Sequence, residues 1–150
     1  MIALPDLDAT RQLAERLAAA LEPGDILCLD GPLGAGKTTL VRFLVAALAG
    51  DPAQVASPTF TLLHRYAARL PVIHVDAYRL QGPAGLAGLG FDELAEEGIG
   101  IIEWSERVAS VLDPARCWGV AMAHANTGRT ATVTTPPNRS GKWLHDAGRG

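Results

Sequence analysis

The chain has 150 residues and a formal net charge of −3, from 13 basic and 16 acidic side chains. With 48% hydrophobic residues it suits one packed domain rather than a disordered chain, and its mild acidity argues against coating nucleic acid through charge alone. Cys28 and Cys117 lie far apart with no Cys/His cluster, which argues against a disulfide scaffold or structural zinc site.

From the N-terminus, MIALPDLDATRQL lacks the basic start and apolar stretch of a signal peptide. The longest apolar run, Phe43–Ala49, falls far short of the about 20 residues that span a bilayer, so a soluble, cytoplasmic protein is expected. Residues 8–21 place Leu13, Leu17 and Leu21 at helical spacing, and Pro23-Gly24 ends the run. Asp25–Asp30 is an apolar segment of strand length, in which Cys28 reads as a small buried hydrophobe. A glycine loop at 31–36 follows, then a helical stretch over Lys37–Leu48 closed by Gly50. Strands are expected within Thr59–Tyr66 and at Val72–Val75, a glycine-rich connection with a broken helix at Gly82–Gly90, and a short helix at Phe91–Glu97. Gly100–Glu103 reads as another buried strand, and Ser105 as the N-cap of a helix to Leu112. Cys117–Ala123 and Arg129–Thr135 carry strand patterning around the turn at Asn126–Gly128, and the last 15 residues are rich in turn formers, suited to a flexible tail. Alternating strands and helices predict an α/β sheet with a β-hairpin appended late.

Residues 31–38 read GPLGAGKT and satisfy every fixed position of the phosphate-loop pattern G-x-x-x-x-G-K-[ST]. Gly34 and Gly36 let backbone N–H groups turn inward around phosphate oxygens, where side chains would block the approach. Lys37 supplies a cation to the β- and γ-phosphates, and the Thr38 hydroxyl can ligate Mg²⁺. Thr39 can add a hydroxyl at the α-phosphate. The helix beginning near Lys37 points its free amides and dipole at the same anion. Only two lysines, Lys37 and Lys142, occur in a chain that otherwise uses arginine for positive charge, and one of them falls in this loop. A glycine-rich turn matching by chance is the competing reading, but the buried strand before and the helix after supply the required context.

A phosphate loop needs a carboxylate opposite Thr38. Asp76, in HVDAYRL, and Glu103, in IIEW, both end buried strands, where ligands lie in open α/β sheets. Residue types alone leave their roles undivided, and a helix cap or rim ion pair is the alternative for each. His74 faces the same side as Asp76 and could orient it or sense phosphate, although a satisfied structural histidine is the favoured reading. Arg79 is a candidate for transition-state charge or a merely solvated arginine, and Trp104 reads as a packing residue.

Four segments in this order, GPLGAGKTTLVR (31–42), SPTFTLLHRY (57–66), HVDAYRL (74–80) and GFDEL…IIEWSERV (90–108), resemble the TsaE (YjeE) family of small bacterial P-loop ATPases. The likeness covers about residues 1–135, and its order and spacing are far more specific than the phosphate loop alone. It implies a P-loop NTPase fold: a mainly parallel central sheet flanked by helices, with antiparallel strands added near the C-terminus. It implies weak Mg²⁺-dependent ATP hydrolysis in tRNA threonylcarbamoyladenosine biosynthesis. TsaB and TsaD would be the partners that modify adenosine 37 of tRNAs reading ANN codons, with TsaC supplying the activated threonylcarbamoyl group. Such a protein meets tRNA only indirectly, through that complex, and meets neither DNA nor membrane. Carried over by position, Gly31, Gly34, Ala35, Gly36, Lys37, Thr38 and Thr39 hold ATP, Thr38 and Glu103 hold Mg²⁺, and Asp76 is the Walker B-type acid. Lys37, Asp76 and Glu103 together form the implied catalytic set. Thr59 falls in a switch-like loop near the γ-phosphate, and Leu7–Thr10 lies near the base. Pro32 departs from the acidic residue common at that position in the family, and the tail after Pro136 carries no motif.

Three rival readings remain. A small metabolite or nucleotide kinase usually closes an arginine-bearing lid over its phosphates, but GPAGLAGLG (82–90) carries no arginine. A GTPase switch would need a guanine-reading NKxD-type sequence, and Asn126-Thr127 lacks its Lys and Asp. A nucleotide-binding subunit that switches without turnover is the third.

Overall fold

A computed structural model describes residues 1–55, 62–137, Arg139 and Trp143. Seven strands form one sheet in the order β1-β7-β6-β2-β5-β4-β3. Its centre is parallel: β2 (Ile26–Asp30) lies between β6 (Cys117–His124) and β5 (Ile99–Glu103), and β4 (Val72–Asp76) pairs with β5. Antiparallel strands close both edges, β3 (Leu63–Tyr66) on β4 at one side, and β7 (Arg129–Thr134) followed by β1 (Ile2–Leu4) at the other. The late hairpin is therefore no appendage, because β6 is a full parallel partner of β2. Strand β1 escapes the sequence patterning: three residues are too few to show alternation, and its partner β7 lies at the far end of the chain.

The period-two alternation of the central strands sorts side chains to two layers. Leu27, Leu29 and Ile101 face helices α1 (Leu7–Ala20) and α2 (Lys37–Ala47), where Leu13, Leu17, Leu40 and Leu44 complete the larger core. Ile26, Ile73, Val75 and Ile102 face α3 (Gly82–Gly88) and α4 (Phe91–Ala95), packed with Leu86 and Phe91. Phe91 lies so close over Gly100 that a Cβ there would run into its ring, which places glycine in an otherwise isoleucine-rich strand. Helix α1 is capped by Asp6, whose carboxylate accepts from the Ala9 N–H at 2.9 Å.

Two expectations need correction. Residues Ser105–Leu112 form two short 3-10 turns, Ser105–Arg107 and Ala109–Val111, rather than one helix. Ser105 is no N-cap, because its N–H and hydroxyl both donate to the Asp30 carboxylate at the end of β2, at 2.8 and 2.6 Å. Cys28 is only half-buried, as is Cys117, and both rest against the smaller core as free thiols. Of the strand expected within Thr59–Tyr66, Leu63–Tyr66 is present, whereas Thr59 and the rest of 56–61 lie outside the described residues. Past Pro137, Arg139 and Trp143 rest on the body. Arg139 makes a two-pronged contact with the buried Asp25 at 2.8 and 2.7 Å, and Trp143 packs edge-on against Trp118. No helix among the described residues is long and apolar enough to cross a membrane.

Candidate nucleotide site

The loop between β2 and α2 wraps the N-terminus of α2 at the carboxyl end of the sheet. Gly36 takes the N-cap position of α2 in a left-handed conformation, φ 102°, which directs the first amides of the helix outward. At Gly31 the constraint is spatial as well. Its φ is 149°, and a Cβ there would collide with the Met122 carbonyl of β6. The loop is held by a group remote in sequence: Arg129 Nε donates to the Gly34 carbonyl at 3.1 Å. Neither this prop nor Met122 carries any local sign in the sequence.

A cavity of about 500 Å³ opens over the loop, bounded by Gly34–Thr39, by Asp76 and Glu103, and by Trp104. Its other wall is the N-terminal segment around Leu7 and Thr10 together with Arg129, so the stretch expected near the base does face the same space. Arg79 ends the 3-10 turn Ala77–Arg79 and is not among the described residues that line it.

Lys37 is 9% exposed and its ammonium donates to the Gly31 carbonyl at 2.6 Å, with Glu103 Oε1 at 3.7 Å. Asp76 and Glu103 are direct register partners on β4 and β5, so both carboxylates stand at the strand ends on the α2 face. Their surroundings differ. Glu103 is 7% exposed, and its Oε2 lies 2.7 Å from His74 Nε2. Burial pushes its carboxyl up, but the hydrogen bond and charge of His74, then Lys37, outweigh this and hold it below its ordinary value. Asp76 is half-buried and accepts from the Tyr78 N–H at 3.0 Å, capping the turn that follows. The alternative role of cap thus coexists with a place in the cavity wall. His74 does not orient Asp76; the neighbouring strand brings Glu103 to it instead.

Trp104 packs against the Tyr78 ring and also lines the cavity. It has φ 59°, a conformation costing about 1–2 kcal/mol in a non-glycine residue, and it is 36% exposed. The turn that imposes this φ carries Ser105 back to Asp30, and it leaves the indole 5.2 Å from both Lys37 Nζ and the Tyr78 ring. Left-handed non-glycine residues cluster where a fold holds strain at a working site.

The residues fit a nucleotide with its divalent ion. A Cβ has no room at Gly31, Gly34 and Gly36 take positive φ, amides gather at a helix N-terminus, a cation lies within the loop, and two carboxylates face a hydroxyl-bearing loop across the cavity. Fold and loop together define a P-loop NTPase. The sequence profile described as "Threonylcarbamoyl adenosine biosynthesis protein TsaE" matches residues 4–131. The chain belongs to the TsaE family. It is 39% identical over 115 residues to the tRNA threonylcarbamoyladenosine biosynthesis protein TsaE of Rickettsia felis, covering 76% of this chain and 67% of that one. It spans 62% of the length of the Rickettsia conorii counterpart. The Bacillus subtilis protein of the same name is 35% identical over 134 residues, 88% of this chain and 83% of that one. Among solved structures, the crystal structure of Bacillus subtilis YdiB superposes with a TM-score of 0.74 at 28% identity, over 96% of this chain and 90% of that chain.

Proposed function

We propose that this chain binds ATP with Mg²⁺, hydrolyses it slowly, and serves tRNA threonylcarbamoyladenosine biosynthesis in the cytoplasm as the ATPase subunit of a complex with TsaB and TsaD. The observation that carries the ATPase reading is the pairing of Asp76 with Glu103 across β4 and β5 at the mouth of a complete phosphate loop. The amides of Gly34–Thr39 cradle the phosphates, with Gly31 and Ala35 shaping the turn that presents them. Lys37 leaves the Gly31 carbonyl for phosphate oxygen, a stronger acceptor. Thr38 and Glu103 would hold Mg²⁺, which when bound would supply positive charge against the phosphates. Asp76, half-buried in the cavity wall, accepts a proton from the attacking water. Residues 1–135 constitute the ATPase domain, and 136–150 follow it as a tail.

Family membership supports the pathway, since the named relatives are threonylcarbamoyladenosine biosynthesis proteins. A net charge of −3 is not the positive excess that grips tRNA unaided, which is why the substrate RNA is assigned to the partners. The glycine-rich segment 82–90 contains α3 and contributes no residue to the cavity lining among the described residues, which disfavours the lid of a metabolite kinase. Phosphate release measured with and without purified TsaB and TsaD tests the reading. Stimulation of turnover by the partners is expected, and a rate indifferent to them at saturation would point to an independent enzyme.

A further inference from the structure

The two oxygens of Glu103 have separate neighbours: Oε1 faces Lys37 and Oε2 faces His74. His74 is fully buried, and its other ring nitrogen, Nδ1, lies 3.2 Å from the Tyr66 hydroxyl. A carboxylate can only accept, so Nε2 carries a proton and donates to Glu103; in the neutral ring Nδ1 is the acceptor and the phenol donates to it. Tyr66, His74 and Glu103 come from three adjacent strands, β3, β4 and β5, all on the α2 face. Because Asp76 stands opposite Glu103 in the register, His74 falls on the diagonal two residues earlier, within reach of the buried oxygen.

We infer that His74 is a positioning residue for Glu103, with Tyr66 setting its tautomer, so that the carboxylate keeps one aim when Lys37 turns to phosphate. Lys37 is the partner that nucleotide draws away, whereas His74 lies behind the carboxylate, out of contact with the cavity. A buried carboxylate deprived of both partners would swing toward solvent or take up a proton. With His74 in place, Oε1 remains presented toward the loop while Oε2 stays held. A histidine that donates one N–H to a metal-binding carboxylate or orients it from behind is the outer support that fixes such ligands.

The inference rests on the proposed part of Glu103 in holding the divalent ion, and the test separates the two. Mn²⁺ affinity is measured on the ADP-bound protein by the electron-spin signal of free Mn²⁺, with ADP affinity without metal measured in parallel. His74→Leu is expected to weaken Mn²⁺ binding about 10–100-fold while metal-free ADP affinity changes little. His74→Gln restores an amide N–H near the position of Nε2–H and is expected to recover part of that loss. Tyr66→Phe keeps the ring and is expected to act in the same direction with a smaller effect, and it moves the His74 ring-nitrogen resonances. If Glu103→Gln weakens Mn²⁺ but folded His74→Leu does not, the inference is overturned and the role of Glu103 stands. Unchanged Mn²⁺ affinity in Glu103→Gln overturns both. Should His74→Leu fail to fold, Tyr66→Phe decides: parent Mn²⁺ affinity with unmoved His74 resonances overturns the relay.

Discussion

Asp76 and Glu103 stand side by side as the last register pair of β4 and β5, yet one is half-buried on a backbone amide and the other is sealed between a histidine and a lysine. Equal position with unequal surroundings gives two acids different chemistry. A carboxylate held from behind through one oxygen suits a fixed ligand, and one whose oxygens remain accessible suits proton transfer.

Substitutions at these positions should therefore part binding from turnover. Lys37→Ala removes the ammonium from the phosphate site and is expected to weaken ATP binding by about 2–3 kcal/mol, the worth of a charge-assisted contact. Asp76→Ala and Glu103→Ala should retain measurable binding by calorimetry while phosphate release falls about 10²-fold or more. Parent rates in both single variants and in the double variant would remove the assignment.

Acid should reveal Glu103 in the stability of the protein. Its carboxyl is held below the ordinary value of 4.5, so the unfolded chain binds the extra proton first and folding gains from ionisation. That gain is complete above the ordinary value and is lost as pH falls through the lower, folded value. The difference in thermal midpoint between the parent and Glu103→Gln should be constant near neutrality and change progressively below pH about 4.5. A difference that ignores pH down to 3 would rule Glu103 out as the source.

Gly31→Ala tests the loop as a packed object rather than a flexible one. The added methyl meets the Met122 carbonyl, and φ 149° is already poor for a side chain. Loss of about 1–3 kcal/mol of stability is expected, with nucleotide affinity reduced because the Lys37 tether at the Gly31 carbonyl shifts too. Chemical denaturation and nucleotide titration on the same sample check both halves.

Arg139→Ala should destabilise the fold by about 2 kcal/mol, because Asp25 is buried and loses two charge-assisted hydrogen bonds. Asp25 sits at the start of β2, the end of the sheet away from the phosphate loop, so metal-free ADP affinity should stay at the parent value. An unaltered denaturation midpoint would show that this anchor contributes nothing.

Much of the site was legible in order along the chain. GPLGAGKT between an apolar run and a helical run specifies the loop, and two acids at the ends of apolar runs specify candidates for the opposite wall. The misreadings share a cause. Ser105 has the residue type and position of a helix cap, yet Asp30, 75 residues earlier, takes both its donors. His74 shares a strand face with Asp76, yet Glu103, 29 residues later, takes its Nε2.

Sequence by itself determined the central strands, helices α1 and α2, the phosphate loop and the two acids, because helical period, strand alternation and glycine turns are written in contiguous residues. Tertiary structure alone decided that His74 serves Glu103 rather than Asp76, that Arg129 props Gly34, and that β1 closes the sheet on β7. Those outcomes depend on register between strands. His74 and Glu103 are 29 residues apart, and sliding one strand by a single position would turn one of them to the opposite face.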